Sequence, residues 1–233
     1  MSEPLPMVLI PGLLASARLY AEQIPQLWRL GAVTIADHTR DDSMPGIAQR
    51  ILGAAPGRFA LIGLSMGGYI AFEMMRQAPQ RIARLALLDT SAHADAPEQT
   101  AMRRAQMSLA SQGRLAEVVE QQFPRLVHRQ RRTDDALRAV LTLMAEEVGA
   151  AAFIRQQTAI IGRSDSRASL GSIHCPTLVL VGDADELTPP ERAAEIADGI
   201  RGARLVTVAQ SGHLTALEQP AEVNRALLEW LQS

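Results

Sequence analysis

A serine lies on a predicted tight turn between a strand and a helix. The apolar run Phe59–Ile62 leads into Gly-x-Ser-x-Gly centred on Ser65, and the helical pattern Met66–Gln77 follows. A serine on such a turn has a strained backbone and a hydroxyl that stands clear of the sheet. Its flanking glycines are expected because a Cβ at position 63 or 67 would collide with a neighbouring strand or helix. The pattern indicates a nucleophilic serine.

A serine hydroxyl becomes a nucleophile when an imidazole accepts its proton and a carboxylate orients that imidazole. The chain offers both groups after two later strands. Thr177–Val181 ends in Gly-Asp-Ala-Asp, which includes Asp183 and Asp185, and Arg204–Val208 is followed by Ser-Gly-His, which ends at His213. Ligands bind at the carboxyl ends of strands in open α/β sheets. The sequence therefore predicts the three groups at one sheet edge.

Strands alternate with helices along most of the chain, which predicts a six-stranded parallel sheet flanked by helices, an α/β fold. The strands are Met7–Ile10, Ala32–Ala36, Phe59–Ile62, Leu85–Leu88, Thr177–Val181 and Arg204–Val208, and the helices are Ala17–Arg29, Pro45–Ala55, Met66–Gln77, Pro190–Gly199 and Pro220–Leu231.

The pattern changes between Asp89 and Thr177, where helical stretches follow one another with no predicted strand. These stretches are Pro97–Gln112, Arg114–Gln122, Thr133–Val148 and Ala150–Ile161. The sequence thus predicts a core formed by residues 1–91 and 171–233, with an all-helical insertion at 92–170.

The chain resembles the α/β-hydrolase superfamily, in its serine-hydrolase branch with a helical cap. The resemblance covers nearly the whole chain and rests on Pro11-Gly12-Leu13, the Ser65 pentapeptide, Gly182-x-x-Asp185 and Gly212-His213. It implies the chain order nucleophile, acid, base, and it makes the helical insertion a cap over the nucleophile. It also implies an oxyanion hole formed by the backbone N–H groups of Leu13 and Met66.

The resemblance places the acid three residues after the glycine that ends its strand, which favours Asp185. Asp183 lies two residues earlier, and Asp89 follows the strand after which some lipases of this fold carry the acid. Both remain alternatives, although Asp89 could also be a helix cap or turn residue. Many relatives have His-Gly where this chain has Pro11-Gly12, so a side chain that braces this loop is missing.

Among the five histidines, only His213 follows Asp185, so it is the expected base. His174 precedes a strand and is expected at the opposite sheet edge, and His128 lies in a polar helical stretch where we expect it to be solvated. His38 and His93 follow strand ends and could line the mouth of the site, so they are candidates for substrate contact. Further candidates beside the motifs and on the cap are Leu14, Met144, Arg155 and Leu214. Gln156 and Gln157, next to Arg155, could also meet a substrate.

A basic run contains Arg125, Arg129, Arg131 and Arg132. Because it alternates with polar residues and precedes Asp134 and Asp135, we expect a solvated helix end rather than an anion-binding cluster. Neutral esters should then be hydrolysed well, with little response to salt.

Composition excludes several other classes of protein. All 23 basic residues of the 233 are arginine, so this chain has no lysine for Schiff-base, pyridoxal or P-loop chemistry. A net charge of −2 and 3 % aromatic residues argue against nucleic-acid binding. The single cysteine excludes a disulfide framework, and no Cys/His cluster has metal spacing, so no metal or cofactor is expected. Without a basic leader or a membrane-length apolar run, the protein is expected to be cytoplasmic.

The resemblance implies a carboxylesterase-type enzyme that cleaves an ester or related acyl compound through an acyl-enzyme on Ser65. Haloalkane dehalogenases and epoxide hydrolases are excluded because they use a carboxylate at this position. C–C bond hydrolases, enol-lactonases and the menaquinone-pathway lyase use the same three residues and stay as alternatives. A ligand-sensing module is a further alternative, which an ester turnover assay would separate from an enzyme. Beyond a small-molecule acyl substrate the sequence indicates no partner, nucleic acid or membrane, and it leaves the oligomeric state open.

Overall fold

Six parallel strands form one sheet in the computed structural model, which describes residues 4–233. The strands are β1 (Met7–Ile10), β2 (Val33–Ile35), β3 (Phe59–Leu64), β4 (Ile82–Leu88), β5 (Thr177–Gly182) and β6 (Arg204–Val208), and their order in the sheet is β2-β1-β3-β4-β5-β6. Every neighbouring pair is parallel. The predicted α/β fold with a six-stranded parallel sheet is confirmed.

Helices cover both faces of this sheet. They are α1 (Ile24–Leu27), α2 (Met44–Ala54), α3 (Met66–Gln77), α4 (Pro97–Ser111), α5 (Leu115–Leu126), α6 (Asp135–Ile161), α7 (Pro190–Gly199), α8 (Thr215–Glu218) and α9 (Pro220–Gln232). Across residues 4–233, none of the helices combines the length and the apolar character needed to cross a membrane.

The core consists of two apolar layers because successive strand residues face opposite sides of a sheet. In β1, Val8 and Ile10 join a buried cluster with α2, α3 and α7. Met7 and Leu9 belong to the cluster on the other side, which includes α9 and parts of α5 and α6. All four residues of β1 are buried. This two-sided burial explains the continuous apolar runs of the central strands.

The sheet order places a crevice beside the central strands. The chain leaves β1 for β2 on one side and returns to β3 on the other side. Ligands bind at such a topological switch point, outside the carboxyl ends of the strands. The loop Pro11–Ala15, called the β1 loop below, and the turn at Ser65 both follow strands that flank this point.

The predicted long helix Ala17–Arg29 is wrong. The structure has a short 3₁₀ helix at Ala17–Tyr20 and one turn of α-helix at Ile24–Leu27. Pro25 explains the break, because a proline ring clashes with the carbonyl group four residues earlier and supplies no N–H. Pro25 instead lies in the first turn of α1, where its missing N–H costs no helical hydrogen bond.

Between β4 and β5 the described chain contains helices and loops but no strand. The helices α4, α5 and α6 pack on one another, and we call them the helical insertion. Helix α6 is interrupted at Gly149, whose φ of 77° is not helical. The sequence predicted two helices that meet at this glycine, as the structure has them.

Candidate active site

Ser65 lies on a strained turn between β3 and α3. Its φ is 55°, in the left-handed region that L-residues rarely adopt. The turn is held by the Ser65 N–H, which donates to the Leu88 carbonyl (2.9 Å), and by Thr90 Oγ1, which donates to the Ser65 carbonyl (2.8 Å). A Cβ on Gly63 would lie 2.4 Å from the Gly67 carbonyl oxygen, which explains the first glycine of the pentapeptide.

A chain of hydrogen bonds joins Ser65, His213 and Asp185. The distance from Ser65 Oγ to His213 Nε2 is 2.8 Å, and His213 Nδ1 lies 2.8 Å from Asp185 Oδ2. A carboxylate accepts only, so Nδ1 carries the proton and Nε2 is free to accept from the serine. His213 and Asp185 are both buried. The arrangement can transfer the serine proton to the imidazole.

Asp185 is positioned by its own loop. Its Oδ1 accepts from the N–H groups of Leu187 (2.8 Å) and Thr188 (3.0 Å), and Thr188 Oγ1 donates to Oδ2 (2.8 Å). The sequence reasoning missed Thr188, although the Asp-x-x-Thr spacing is a signal for such a side-chain-to-backbone turn.

The two alternative carboxylates, Asp183 and Asp89, make no hydrogen bond to His213 in the structure. Asp183 Oδ1 accepts from the Ser211 N–H (3.1 Å). Asp89 is fully buried, where it accepts from the Gly182 N–H (3.1 Å) and from Thr215 Oγ1 (2.6 Å). Asp89 thus holds loops that follow β5 and β6.

Three titratable groups, His213, Asp185 and Asp89, influence one another's pKa through their charges. Burial lowers the pKa of His213, but the charge and hydrogen bond of Asp185 outweigh it and raise the pKa above its usual value. Burial raises the pKa of Asp185, but the charge and hydrogen bond of His213 and the hydrogen bonds from Thr188 together lower it by more. The net shift is downward. Burial, followed by the charge of Asp185, raises the pKa of Asp89 well above the ordinary range.

The loop that carries His213 is attached to the end of α5. The His213 N–H donates to the Leu126 carbonyl (2.9 Å), and Glu218 accepts from the N–H groups of Gly212 and His128 (2.7 Å each). His128 is buried, contrary to the expected solvated position, because this attachment packs the end of α5 against the His213 loop.

Two backbone N–H groups near Ser65 have no acceptor among the residues that the structure describes. Within residues 4–233, the N–H groups of Leu13 and Met66 donate no hydrogen bond. Gly12 lies close to the nucleophile, because a Cβ on it would be 3.4 Å from the Ser65 Cβ. The β1 loop and the start of α3 therefore flank the serine with free donors, as an oxyanion hole requires.

A cavity of about 330 Å³ opens onto Ser65 and His213. Four of the six predicted substrate-contact residues line it: Leu14, His93, Met144 and Leu214. Most of its other lining side chains are apolar and come from both the core and the helical insertion; they include Leu19, Val118, Val119, Leu141, Phe153 and Ile160.

His38 and Arg155 lie outside the cavity lining. His38 is buried behind the β1 loop, with Nε2 2.9 Å from the Gly12 carbonyl oxygen. Arg155 donates to the Thr39 carbonyl (2.9 Å). Gln156 and Gln157 are also fully buried outside the lining. No local pattern could show this, because Gln156 contacts a loop 142 residues earlier.

The basic run divides into two environments. Arg131 and Arg132 pair with Asp134 (2.7 Å) and Glu186 (2.6 Å), and Arg129 is exposed, as expected of a solvated helix end. Arg125 differs, since it lines the cavity with Nη1 3.4 Å from Met102 Sδ and makes no ion pair with the described residues.

The fold and the position of this site define the class of protein. A family model described as alpha/beta hydrolase fold matches residues 51–220, and the chain belongs to this family. Among curated relatives, a pimeloyl-(acyl-carrier protein) methyl ester esterase of Nitrosomonas europaea is 27 % identical over 215 residues, which cover 86 % of this chain and 84 % of that protein.

Solved structures show the same architecture. A thermophilic esterase of Thermogutta terrifontis superposes with a TM-score of 0.88 at 29 % identity and covers 98 % of this chain and 89 % of its own. An enol-lactonase of Burkholderia xenovorans LB400 superposes with a TM-score of 0.89 at 21 % identity, over 100 % of this chain and 93 % of its own, a likeness of fold alone.

Proposed function

We propose that this protein is a serine hydrolase that cleaves a carboxylic ester through an acyl-enzyme on Ser65. The observation that supports it most is the hydrogen-bonded chain from Ser65 Oγ through His213 to Asp185, with both links at 2.8 Å. The esterases among the similar proteins agree with this assignment.

In the proposed reaction, Ser65 Oγ attacks the ester carbonyl while His213 Nε2 accepts its proton. The N–H groups of Leu13 and Met66 stabilise the negative oxygen of the tetrahedral intermediate. His213 then gives the proton to the departing alcohol, which leaves an acyl group on Ser65. A water molecule, deprotonated by His213, releases the acid and restores the enzyme.

The cavity favours a substrate with a compact apolar group. Its volume of about 330 Å³ lies at the lower end of the range for small-molecule sites. Apolar side chains of the cavity lining, such as Leu141 and Met144, would shield an acyl or alcohol chain from water.

A panel of neutral p-nitrophenyl esters, lactones and thioesters tests the reaction class. We expect multiple turnovers on short and medium esters, with rates that fall as the chain outgrows the cavity. If lactones are hydrolysed fast and the esters are not hydrolysed, the enol-lactonase alternative is favoured instead. A single slow turnover on every substrate would favour a ligand-sensing module.

The pH dependence of ester hydrolysis should follow the proton on His213. Only the neutral imidazole can accept the Ser65 proton, so kcat/KM should rise as the pH increases through the pKa of His213. Because Asp185 raises this pKa, the half-maximal rate should lie above about pH 6.5. The measurement is kcat/KM for a neutral ester from about pH 5 to about pH 9. A midpoint clearly below the ordinary histidine value would contradict the proposed base.

Arg125 should give the cavity a modest preference for substrates that carry a carboxylate. We expect Arg125→Gln to lower kcat/KM for such an ester about two- to fivefold, as for an exposed ion pair, with a smaller effect on its neutral analogue. Added salt should weaken the difference by screening. Arg129→Gln is the matched control, because Arg129 belongs to the same run but lies outside the cavity lining. Equal effects of Arg125→Gln and Arg129→Gln would show that Arg125 does not bind the substrate.

A further inference from the structure

We propose that His38 and Gln156 are positioning residues that hold the β1 loop in the shape needed for oxyanion binding. This inference rests on the proposed acyl transfer, in which the Leu13 N–H stabilises the oxyanion. It gives a function to two buried polar side chains that do not line the cavity.

The β1 loop needs support from outside its own backbone. Leu14 has a φ of 57°, a left-handed conformation that strains a leucine. Such a conformation persists where surrounding contacts fix it. Inside the loop the Ala15 N–H donates to the Gly12 carbonyl over 3.2 Å. The shorter contacts to this loop come from His38 and Gln156.

His38 controls the peptide group that contains the proposed oxyanion donor. The Gly12 carbonyl and the Leu13 N–H belong to one planar trans peptide and point in opposite directions. His38 Nε2 lies 2.9 Å from this carbonyl oxygen, so a proton on Nε2 fixes the plane of the peptide. Burial lowers the pKa of His38 below the ordinary histidine value, which favours the neutral ring with a single proton. The carbonyl acceptor requires that proton on Nε2.

Gln156 holds the next peptide group. Its Oε1 accepts from the Leu14 N–H (3.1 Å), and its Nε2 donates to the His38 carbonyl (3.5 Å). Both ends of the amide thus meet complementary groups. Gln156 belongs to α6 of the helical insertion, whereas His38 follows β2. The pair therefore fixes the peptides on both sides of Leu13 and links the oxyanion donor to the helical insertion.

Gln156→Met tests the role, with Gln157→Met as the matched control. Both glutamines are 0 % exposed, but Gln157 bonds to Gln106 (2.9 Å) and Arg103 (2.9 Å) rather than to the β1 loop. Both changes remove buried hydrogen bonds and should lower Tm to a similar extent. Gln156→Met should also lower kcat for a p-nitrophenyl ester by about 10- to 100-fold, with KM within about twofold, as for a displaced transition-state donor. Gln157→Met should keep kcat within about threefold.

His38→Phe supplies a second, independent variant that keeps a ring and removes the donor. We expect a loss of kcat similar to that of Gln156→Met. The rate constant for labelling of Ser65 by a fluorophosphonate should fall in parallel for both variants, because the phosphoryl oxygen uses the same oxyanion donors. This labelling reports on the donors whatever the natural substrate is.

The outcomes separate the inference from the proposed function. An unreactive Ser65 in the wild-type protein would contradict the proposed serine hydrolase and with it this inference. If Ser65 reacts in the wild-type protein and is labelled just as fast in the folded Gln156→Met and His38→Phe variants, the inference is overturned while the proposed function stands. Equal losses of kcat in the Gln156 and Gln157 variants would also overturn it, because the effect would then be one of stability.

Discussion

Ser65→Ala should abolish ester hydrolysis while leaving the fold intact. Alanine lacks the oxygen that attacks the substrate in the proposed reaction, and the expected loss in kcat is on the order of 10⁶-fold, by precedent with serine proteases. The change removes one hydroxyl whose partner in the structure is His213 Nε2, so the β3–α3 turn should keep its shape. Circular dichroism and Tm test whether the fold is intact, and kcat for a p-nitrophenyl ester tests the loss of hydrolysis.

Ser91 offers a matched control for Ser65. It also lines the cavity, but its hydroxyl accepts from the His93 N–H rather than contacting His213. Ser91→Ala should keep most of the activity. A fluorophosphonate should label Ser65 alone, as seen by mass spectrometry of tryptic peptides. Label on another residue, or an active Ser65→Ala protein, would rule out the proposed nucleophile.

Asp185→Asn should lower kcat by about 10⁴-fold, the effect seen when the corresponding aspartate of a serine protease is replaced. An asparagine amide can donate to His213 Nδ1, which favours the tautomer with its proton on Nε2. That tautomer cannot accept the Ser65 proton. The ester assay under saturating substrate measures the loss.

Asp89→Asn and Asp183→Asn separate the three candidate acids. Asp89 accepts from Gly182 and Thr215, so its replacement should mainly lower stability, by about 1–3 kcal/mol for a buried donor left without its acceptor. Asp183→Asn should be milder. If Asp89→Asn cripples kcat at a temperature where the protein stays folded, the acid has been assigned to the wrong strand.

The sequence predicted features whose causes are local. Gly63 and Ser65 belong to one short segment. Its tight turn brings the backbone of Gly67 so close to Gly63 that only glycine fits there. His213 and Asp185 follow predicted strands, and a parallel sheet brings the ends of its strands to one edge. The fold and the proximity of these three side chains could therefore be anticipated without coordinates.

Contacts between distant segments could not be predicted in this way. His38 was expected at the mouth of the cavity because it follows a strand, but it lies behind the β1 loop. Gln156 meets Leu14 only because the helical insertion folds back over the core. Arg125, Arg131 and Arg132 belong to one basic run in the sequence. In the structure Arg131 pairs with Asp134 and Arg132 pairs with Glu186, whereas Arg125 lines the cavity.

The attachment between α5 and the His213 loop limits how this protein could be recombined with its relatives. The His213 N–H depends on the Leu126 carbonyl, and Glu218 connects Gly212 to His128. A chimera that receives a foreign helical insertion would have to reproduce this carbonyl and this N–H at the same place. Graft boundaries that keep residues 126–128 from the recipient should therefore yield active chimeras, whereas boundaries that replace them should leave the imidazole without its anchor.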